Sequence, residues 1–295
     1  MHFLITGGSG FIGTALCRNL VADGHRATVL TRNAARARPR LPAHVALVEA
    51  LDAVRDVDAI VNLAGENLAA GRWSAQRKRE FFDSRVGTTR HLLEWIARQQ
   101  RRPRVLVSGS AIGWYGPCGD EELSEESPSG TDFSAGLCRA WEAEATKAEA
   151  FGVRVCRVRT GIVLDRDGGA LKKMLLPFRL GVGGRMGDGR QWMSWIARSD
   201  LVALLRWLAE SADANGAYNG TAPAPVRNAE FARTLATALH RPAVLPTPAL
   251  ALKLLFGEMA DLLLTGQRVL PVRASADGFA FRHPELGGAL AAILR

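Results

Sequence analysis

The strand-like run HFLIT (2–6) passes directly into Gly7-Gly8-Ser9-Gly10 and then into Phe11-Ile12-Gly13, the start of a helical pattern. No other stretch restricts the fold as strongly. A turn without bulky side chains lets the backbone approach a pyrophosphate, and a third glycine lets the following helix pack closely on its sheet. The helix N-terminus adds unpaired N–H donors and the positive end of a dipole. A glycine pattern alone is weak evidence, because plain turns also use glycine; the strand before it and the helix after it supply the missing context. Gly7, Gly8, Gly10, Phe11, Ile12 and Gly13 are therefore expected to hold a dinucleotide.

The rest of the chain alternates short apolar runs with helical periodicity. RATVLTR (26–32), DAIVNLAG (58–65), PRVLVSGS (103–110), VRVCRVRTGIVL (153–164) and AYNGTA (217–222) read as strands. TALCRNLVADG (14–24), TRHLLEWIARQQ (89–100), AGLCRAWEAEATKAEAFG (135–152) and SDLVALLRWLAES (199–211) read as helices. Strand and helix in alternation predict an α/β protein with a doubly wound parallel sheet and ligands at the carboxyl ends of its strands.

Several function classes are excluded or disfavoured. Four cysteines without a C-x-x-C pair and six scattered histidines suggest neither a disulfide framework nor a metal site. HFLIT is too short for a signal or membrane segment, and the apolar window 248–256 is interrupted by Lys253. A reducing cytoplasm is the expected compartment, with no membrane association. The net charge of +9 comes from arginines spread along the whole chain. Without a helix-turn-helix or an aromatic RNA-binding signature, no nucleic-acid partner is expected.

The end of the second strand bears on the cofactor. NAD-binding folds place an acid there for the ribose 2′-hydroxyl, whereas a 2′-phosphate needs cations. This chain has Thr31 and Arg32, followed by Arg36, and no carboxylate. A planar guanidinium suits phosphate, so NADP(H) is predicted over NAD. The competing reading is a solvated arginine-rich loop.

At this point the chain resembles a known family. TGGSGFIG (6–13) looks like the extended short-chain dehydrogenase/reductase superfamily, which contains the nucleotide-sugar epimerases. NLAGENLAAGRW (62–73), SGSAIGWYG (108–116), RTGIVLDRDGGAL (159–171), LPFRLGVGGRMGDGRQWMSWI (176–196) and GEMADLLLTGQRVLP (257–271) are similar to an atypical epimerase-like subgroup of the YfcH type. The resemblance implies a Rossmann-type sheet with a smaller, mostly helical C-terminal substrate region. Its division would be 1–163 with 200–245 for the NADP-binding domain, and 164–199 with 246–295 for the substrate lid. It also implies cofactor contacts at Leu63, Ala64, Glu80, Arg85, Ser108 and Val163, with Arg85 available to phosphate. The partners implied are a small-molecule substrate and a second copy in a homodimer.

In that superfamily a Tyr-x-x-x-Lys pair moves the proton that accompanies hydride transfer. Here the residue four after Tyr115 is Gly119 and the residue four after Tyr218 is Ala222, so no such pair exists. The helix that should carry it has Leu137, Cys138, Arg139, Ala140 and Trp141 instead. Ser110 stands where the family has a strand-end catalytic serine, and Tyr115 is the candidate substitute proton donor. A serine satisfied by backbone and a structural loop tyrosine are the alternatives. Ala197 replaces the histidine usual in the family's WIHxxDL, so no imidazole is available there.

Five glycines in GVGGRMGDGRQWMSW (181–195) imply a loop with unusual backbone conformations. Arg185, Gln191 and Trp195 are its candidate substrate contacts, and its arginines favour an anionic ligand such as a nucleotide sugar. Two functions stay open: an NADP-dependent oxidoreductase or epimerase with an unorthodox proton donor, and a catalytically degenerate NADP(H)-binding redox sensor or partner-binding protein.

Overall fold

In the computed structural model, which describes residues 1–295, the strands in chain order are β1 (His2–Thr6), β2 (Arg26–Leu30), β3 (Ala46–Val48), β4 (Ala59–Asn62), β5 (Val105–Ala111), β6 (Glu122–Leu123), β7 (Arg154–Thr160), β8 (Ile162–Asp165), β9 (Trp192–Met193), β10 (Trp195–Ala197), β11 (Gly216–Gly220), β12 (Val226–Arg227) and β13 (Arg268–Val269). Seven of them form one sheet in the order β11-β7-β5-β4-β1-β2-β3. Every pairing in it is parallel. The chain builds outward from β1 to β3, then returns to β4 on the other side of β1. That reversal opens the crevice in which doubly wound sheets bind ligands.

The helices are α1 (Phe11–Ala22), α2 (Ala34–Ala37), α3 (Ala75–Phe82), α4 (Thr88–Ala97), α5 (Phe133–Thr146), α6 (Gly169–Arg179), α7 (Arg198–Glu210), α8 (Asn228–Ala238), α9 (Ala249–Phe256), α10 (Asp261–Leu264), α11 (Val272–Ala276) and α12 (Leu286–Leu294). Successive strand residues point to opposite faces, and the sheet is covered on both. Phe3, Ile5, Val61, Val107 and Val158 pack with Leu16 and Leu20 of α1 and Leu201 and Leu205 of α7. Leu4, Ile60, Leu106 and Val155 pack with Leu92 and Ile96 of α4 and Ala145 of α5. All five residues of β1 are buried, which is why HFLIT reads as a continuous apolar run rather than an alternation. No helix is long and apolar enough to cross a membrane.

The expected strand 153–164 is two strands. At Gly161 the chain leaves the sheet, and the Ile162 N–H donates to the Ser194 carbonyl at 2.8 Å, so β8 pairs with β10 instead. A Cβ at Gly161 would run into that same carbonyl. The helix expected from residue 14 begins at Phe11, directly after the glycine turn.

A second core joins α6, α8 and α12 through Leu171, Leu175, Phe178, Phe231, Leu235, Leu286 and Leu290. α8, within the expected 200–245 part of the NADP-binding domain, buries its apolar face in this second core. In the other direction, Ala274 and Phe279 return to the core of the sheet.

Ile60 is fully buried at the centre of the sheet. Ile60→Ala is expected to lower unfolding stability by about 2–5 kcal/mol, measured as a reduced urea midpoint with unchanged slope.

Candidate active site

The carboxyl ends of β1, β2, β4, β5 and β7 deliver Gly7, Thr31, Leu63, Ser110 and Thr160 to one edge of the sheet. Gly7 has φ +66°, and a Cβ there would lie 2.5 Å from the Leu63 carbonyl oxygen. A Cβ at Gly8 would run into Val29, and one at Gly13 into the Gly7 carbonyl. The turn is therefore packed against β2, β4 and its own helix. Gly10 caps α1 with no side-chain hydrogen bond, and the first turn has no acid. The N–H groups of that turn remain available to an anion.

On one side of the turn lies a hollow of about 430 Å³ lined by Arg32, Arg36, Arg40, Thr31, Asn33 and Ser9, without a carboxylate. Asn33 shapes it by accepting the Arg36 N–H at 2.8 Å, which starts α2. Arg32 is almost fully exposed and reaches Glu66 at 3.2 Å; an ion pair so exposed contributes little. Arg40 was not singled out from the sequence. It arrives because α2 and the following turn fold the basic stretch back over Thr31.

On the other side lies a cleft of about 670 Å³. Its inner wall includes Ile12, Leu63, Arg85, Ser110, Cys138 and Trp141. Arg85 donates to the Glu66 carbonyl at 3.0 Å and to the Phe81 carbonyl at 3.1 Å. Its guanidinium lies 5.3 Å from the Trp141 ring centre. Burial holds the Arg85 pKa below the usual guanidinium range. Trp141 comes so close to the sheet that a Cβ at Gly109 would meet its ring at 2.9 Å.

Behind Ser110 is a buried polar network. Ser110 Oγ donates to Glu142 Oε1 at 2.7 Å. Arg159 grips both oxygens of the same carboxylate, at 2.9 Å through Nε and 3.1 Å through Nη2. Arg159 also donates to the Tyr115 hydroxyl at 3.1 Å and stacks 3.9 Å from the Trp114 ring centre. Tyr115 in turn donates to Asn219 Oδ1 at 2.6 Å. Burial alone would lower the Arg159 pKa, but the pairing with Glu142 raises it. Burial pushes the Tyr115 phenol up to about 12.

Tyr115 is thus a buried brace for Arg159 and lines no part of the cleft, which corrects its assignment as a substitute proton donor. Ser110 does line the cleft. Cys138 also faces it, with its thiol 3.6 Å from the Ala111 carbonyl. Burial, then the nearby Glu142 carboxylate, pushes that thiol up to about 11. Arg139 points away and binds Ser129 Oγ at 3.1 Å.

The other sequence candidates divide. Ala64 donates its N–H to Thr6 Oγ1 at 3.2 Å, bracing the turn. Phe11 packs over Gly168 and Gly169 and under Arg198. Glu80 binds Arg77 at 2.8 Å on the outer side of α3, Ser108 is buried with its hydroxyl on the Gly109 carbonyl, and Val163 packs against the sheet core. None of these five side chains lines the hollow or the cleft.

The substrate candidates also lie elsewhere. Arg185 lines a separate groove beside Ala229 and Arg233. Gln191 donates to the Met186 and Leu263 carbonyls, and Trp195 is buried with its indole N–H on the Ala224 carbonyl at 2.9 Å. Trp192 and Ser194 line the cleft instead. In extended chain the side-chain period is two, so Gln191 and Trp195 face away from the side that Trp192 and Ser194 present. No cluster of His, Cys, Asp or Glu could hold a metal ion. A further hollow of about 510 Å³ beside Asp52, Arg55 and Arg98 precedes β4 and β5, at the strand ends opposite the glycine turn.

Residues 3–219 match the family model described as NAD dependent epimerase/dehydratase family, and residues 247–293 match a domain of unknown function, DUF1731. The chain is similar, at 42% identity, to the chloroplastic epimerase family protein SDR39U1 homolog of Arabidopsis thaliana, over 100% of this chain and 87% of that protein. It is 40% identical to the Homo sapiens epimerase family protein SDR39U1, over 100% of both. The crystal structure of the human epimerase family protein SDR39U1 (isoform 2) with NADPH superposes with a TM-score of 0.89 at 38% identity, covering 99% of each chain.

Arg159→Leu would leave the Glu142 carboxylate, which is 2% exposed, with only the Ser110 hydroxyl at 2.7 Å and the more distant Arg157 at 3.7 Å. It should cost about 3–5 kcal/mol, and a urea-denaturation loss below about 1 kcal/mol would contradict the network's role. The raised Cys138 pKa means the folded protein keeps its neutral thiol through the range where a free thiol ionises. Alkylation of Cys138 by iodoacetamide should stay slow at neutral pH and accelerate only as the pH approaches about 11.

Proposed function

The chain belongs to the NAD-dependent epimerase/dehydratase family, and from that premise we propose that it is an NADP(H)-dependent oxidoreductase or epimerase acting on a small molecule. The finer placement in a YfcH-type subgroup is part of the same proposal. The observation that carries the cofactor reading is the hollow at the end of β2, with three arginines and no carboxylate in its lining. The NADPH in the human relative's structure supports it.

The residues present fit such a cofactor. The glycine turn and the uncapped start of α1 suit a pyrophosphate, and Arg32, Arg36 and Arg40 suit a 2′-phosphate. Ile12 and Leu63 give the adjoining cleft an apolar floor that excludes water. Bound there, the cofactor supplies a hydride donor or acceptor at its nicotinamide ring. Leu137, Cys138 and Trp141, which α5 carries in place of a Tyr-x-x-x-Lys pair, line the cleft, with Arg85 against the Trp141 ring. Ser110 is the side chain best placed to hold a reacting oxygen. Its hydroxyl donates to Glu142 but is a free rotor, so it can accept a substrate hydroxyl's hydrogen bond or turn its proton to a substrate carbonyl while Arg159 still holds Glu142. Glu142 and Arg159 act as positioning residues for that serine.

A second reading keeps cofactor binding without turnover, as a redox sensor or partner-binding protein. It is favoured by the absence of a Tyr-x-x-x-Lys pair and by the withdrawal of Tyr115 into the Arg159 network. The expectation of an anionic substrate rested on arginines of the 181–195 loop, and Arg185 lies in a different groove; that ground for a nucleotide sugar is gone.

Calorimetry should show NADPH binding at least about tenfold tighter than NADH, with the preference largely lost in Arg32→Ala/Arg40→Ala, since charge-assisted contacts contribute roughly 1.5–3 kcal/mol each. Equal affinities for the two cofactors would sink the proposal.

A further inference from the structure

The charge inventory of the cleft is unusual for a site that would take a nucleotide diphosphate. One cation lines it, Arg85, against three carboxylates, Asp132, Glu258 and Asp261. Arg85 is already committed to two backbone carbonyls and to the face of Trp141. Cations near the outer rim are paired as well. Lys78 holds Glu258 at 2.7 Å, Arg268 holds Glu122 at 2.9 Å, and Arg227 holds Asp120.

The remaining wall joins aromatic and aliphatic side chains to uncharged polar ones, among them Ser134, Ser194, Thr265 and Gln267. Trp73 donates its indole N–H to the Leu68 carbonyl at 2.8 Å, which satisfies its polar atom and leaves apolar ring surface. Its ring meets Phe133 edge to face, with centres 5.3 Å apart. Trp192 also lines the cleft, its indole N–H held by Asp120 at 2.9 Å and its ring packed against Arg227 and Arg268, 4.1 and 4.8 Å from its centre, and Leu262 lies at the rim at 41% exposure. Walls of this kind hold flat rings by offset or edge-to-face contact. A diphosphate would bring two or more negative charges onto apolar surface beside carboxylates, and each poorly paired buried charge costs several kcal/mol.

We infer that the outer part of this cleft takes an uncharged, ring-containing carbonyl compound or its alcohol, not a nucleotide diphosphate; this deepens the NADP(H) reading above and rests on it. Trp73 and Phe133 hold the ring, Leu262 covers it, Trp192 bounds it, and Ser110 meets the oxygen at the inner end. Asp261, a rim carboxylate without an ion-pair partner, repels anionic competitors, so selectivity comes from repulsion as well as from contact.

The test titrates the full chain, saturated with NADP⁺, with acetylnaphthalene as an uncharged fused-ring ketone and separately with uridine diphosphate, following tryptophan fluorescence and calorimetry. The ketone should bind at least about tenfold tighter than uridine diphosphate, and Leu262→Glu should weaken it by about tenfold. Leu262 is partly exposed, so that variant keeps its fold, which circular dichroism checks. Uridine diphosphate binding as tightly as the ketone, no ketone binding, or an unchanged affinity in Leu262→Glu would each overturn the inference. NADPH titration of the unsubstituted protein keeps the two readings apart. If NADPH binds and the ketone result fails, the substrate class is wrong. If NADPH itself fails to bind, the cofactor reading falls, and the same probe comparison on the protein alone judges the cleft.

Discussion

The pairing of Glu142 with Arg159 ties together parts of the chain that are far apart in sequence. Glu142 belongs to α5 and Arg159 to β7, and both are almost without exposure. Through them Ser110 on β5, Tyr115 in the following turn and Asn219 on β11 are joined by hydrogen bonds. Asn219 passes the connection on, its N–H to Glu125 at 2.9 Å and its amide to the Leu270 carbonyl at 2.9 Å. Two ions so deeply buried are tolerable only when each is paired and its remaining hydrogen-bonding positions are met. That condition holds helix, sheet edge and C-terminal segment in one arrangement, and it fixes the position of the one hydroxyl that meets the cleft from the end of β5.

The two halves of the ligand strip follow different physics. At the β2 end the hollow is open, basic and polar, suited to a phosphate that keeps part of its hydration. At the β5 end the larger cleft mixes aromatic, aliphatic and uncharged polar side chains and has Arg85 as its one lining cation. Between them the glycine turn offers backbone N–H groups and a helix dipole, with no side chain in the way. A dinucleotide laid across this strip would find its phosphates on the basic side and its redox ring on the apolar side. The chain has no Tyr-x-x-x-Lys pair, and α5 brings Leu137, Cys138 and Trp141 to the cleft.

Much of this was legible in the chain because it depends on neighbours in sequence. The glycine turn, the strand before it, the helix after it and the acid-free end of β2 are local features. The helical phase of α5 and the missing Tyr-x-x-x-Lys pair are local too. Facing direction was less legible. The sequence places Gln191, Trp192 and Trp195 on one candidate wall, but only Trp192 of the three lines the cleft, since a one-residue shift in extended chain reverses which side chains look inward. Tyr115 was offered as a proton donor for its closeness to Ser110 in sequence, whereas Arg159, 44 residues later, draws its hydroxyl into the interior. An apolar strand carrying Arg157 and Arg159 did hold one unread signal: an arginine at an inward position must have a buried acid opposite.

By itself the sequence determined the doubly wound sheet, the phosphate turn and the basic end of β2, because periodicity, glycine placement and cap chemistry act within a few residues. Tertiary structure alone decided that Arg40 joins Arg32, that α8 packs with α6 and α12, and that arginines of the glycine-rich loop stay out of the cleft. It also decided that Glu142 and Arg159 meet. These depend on which surfaces pack across the sheet, and the free energy of burying a charge or an apolar face is set by partners that the chain brings together only when folded.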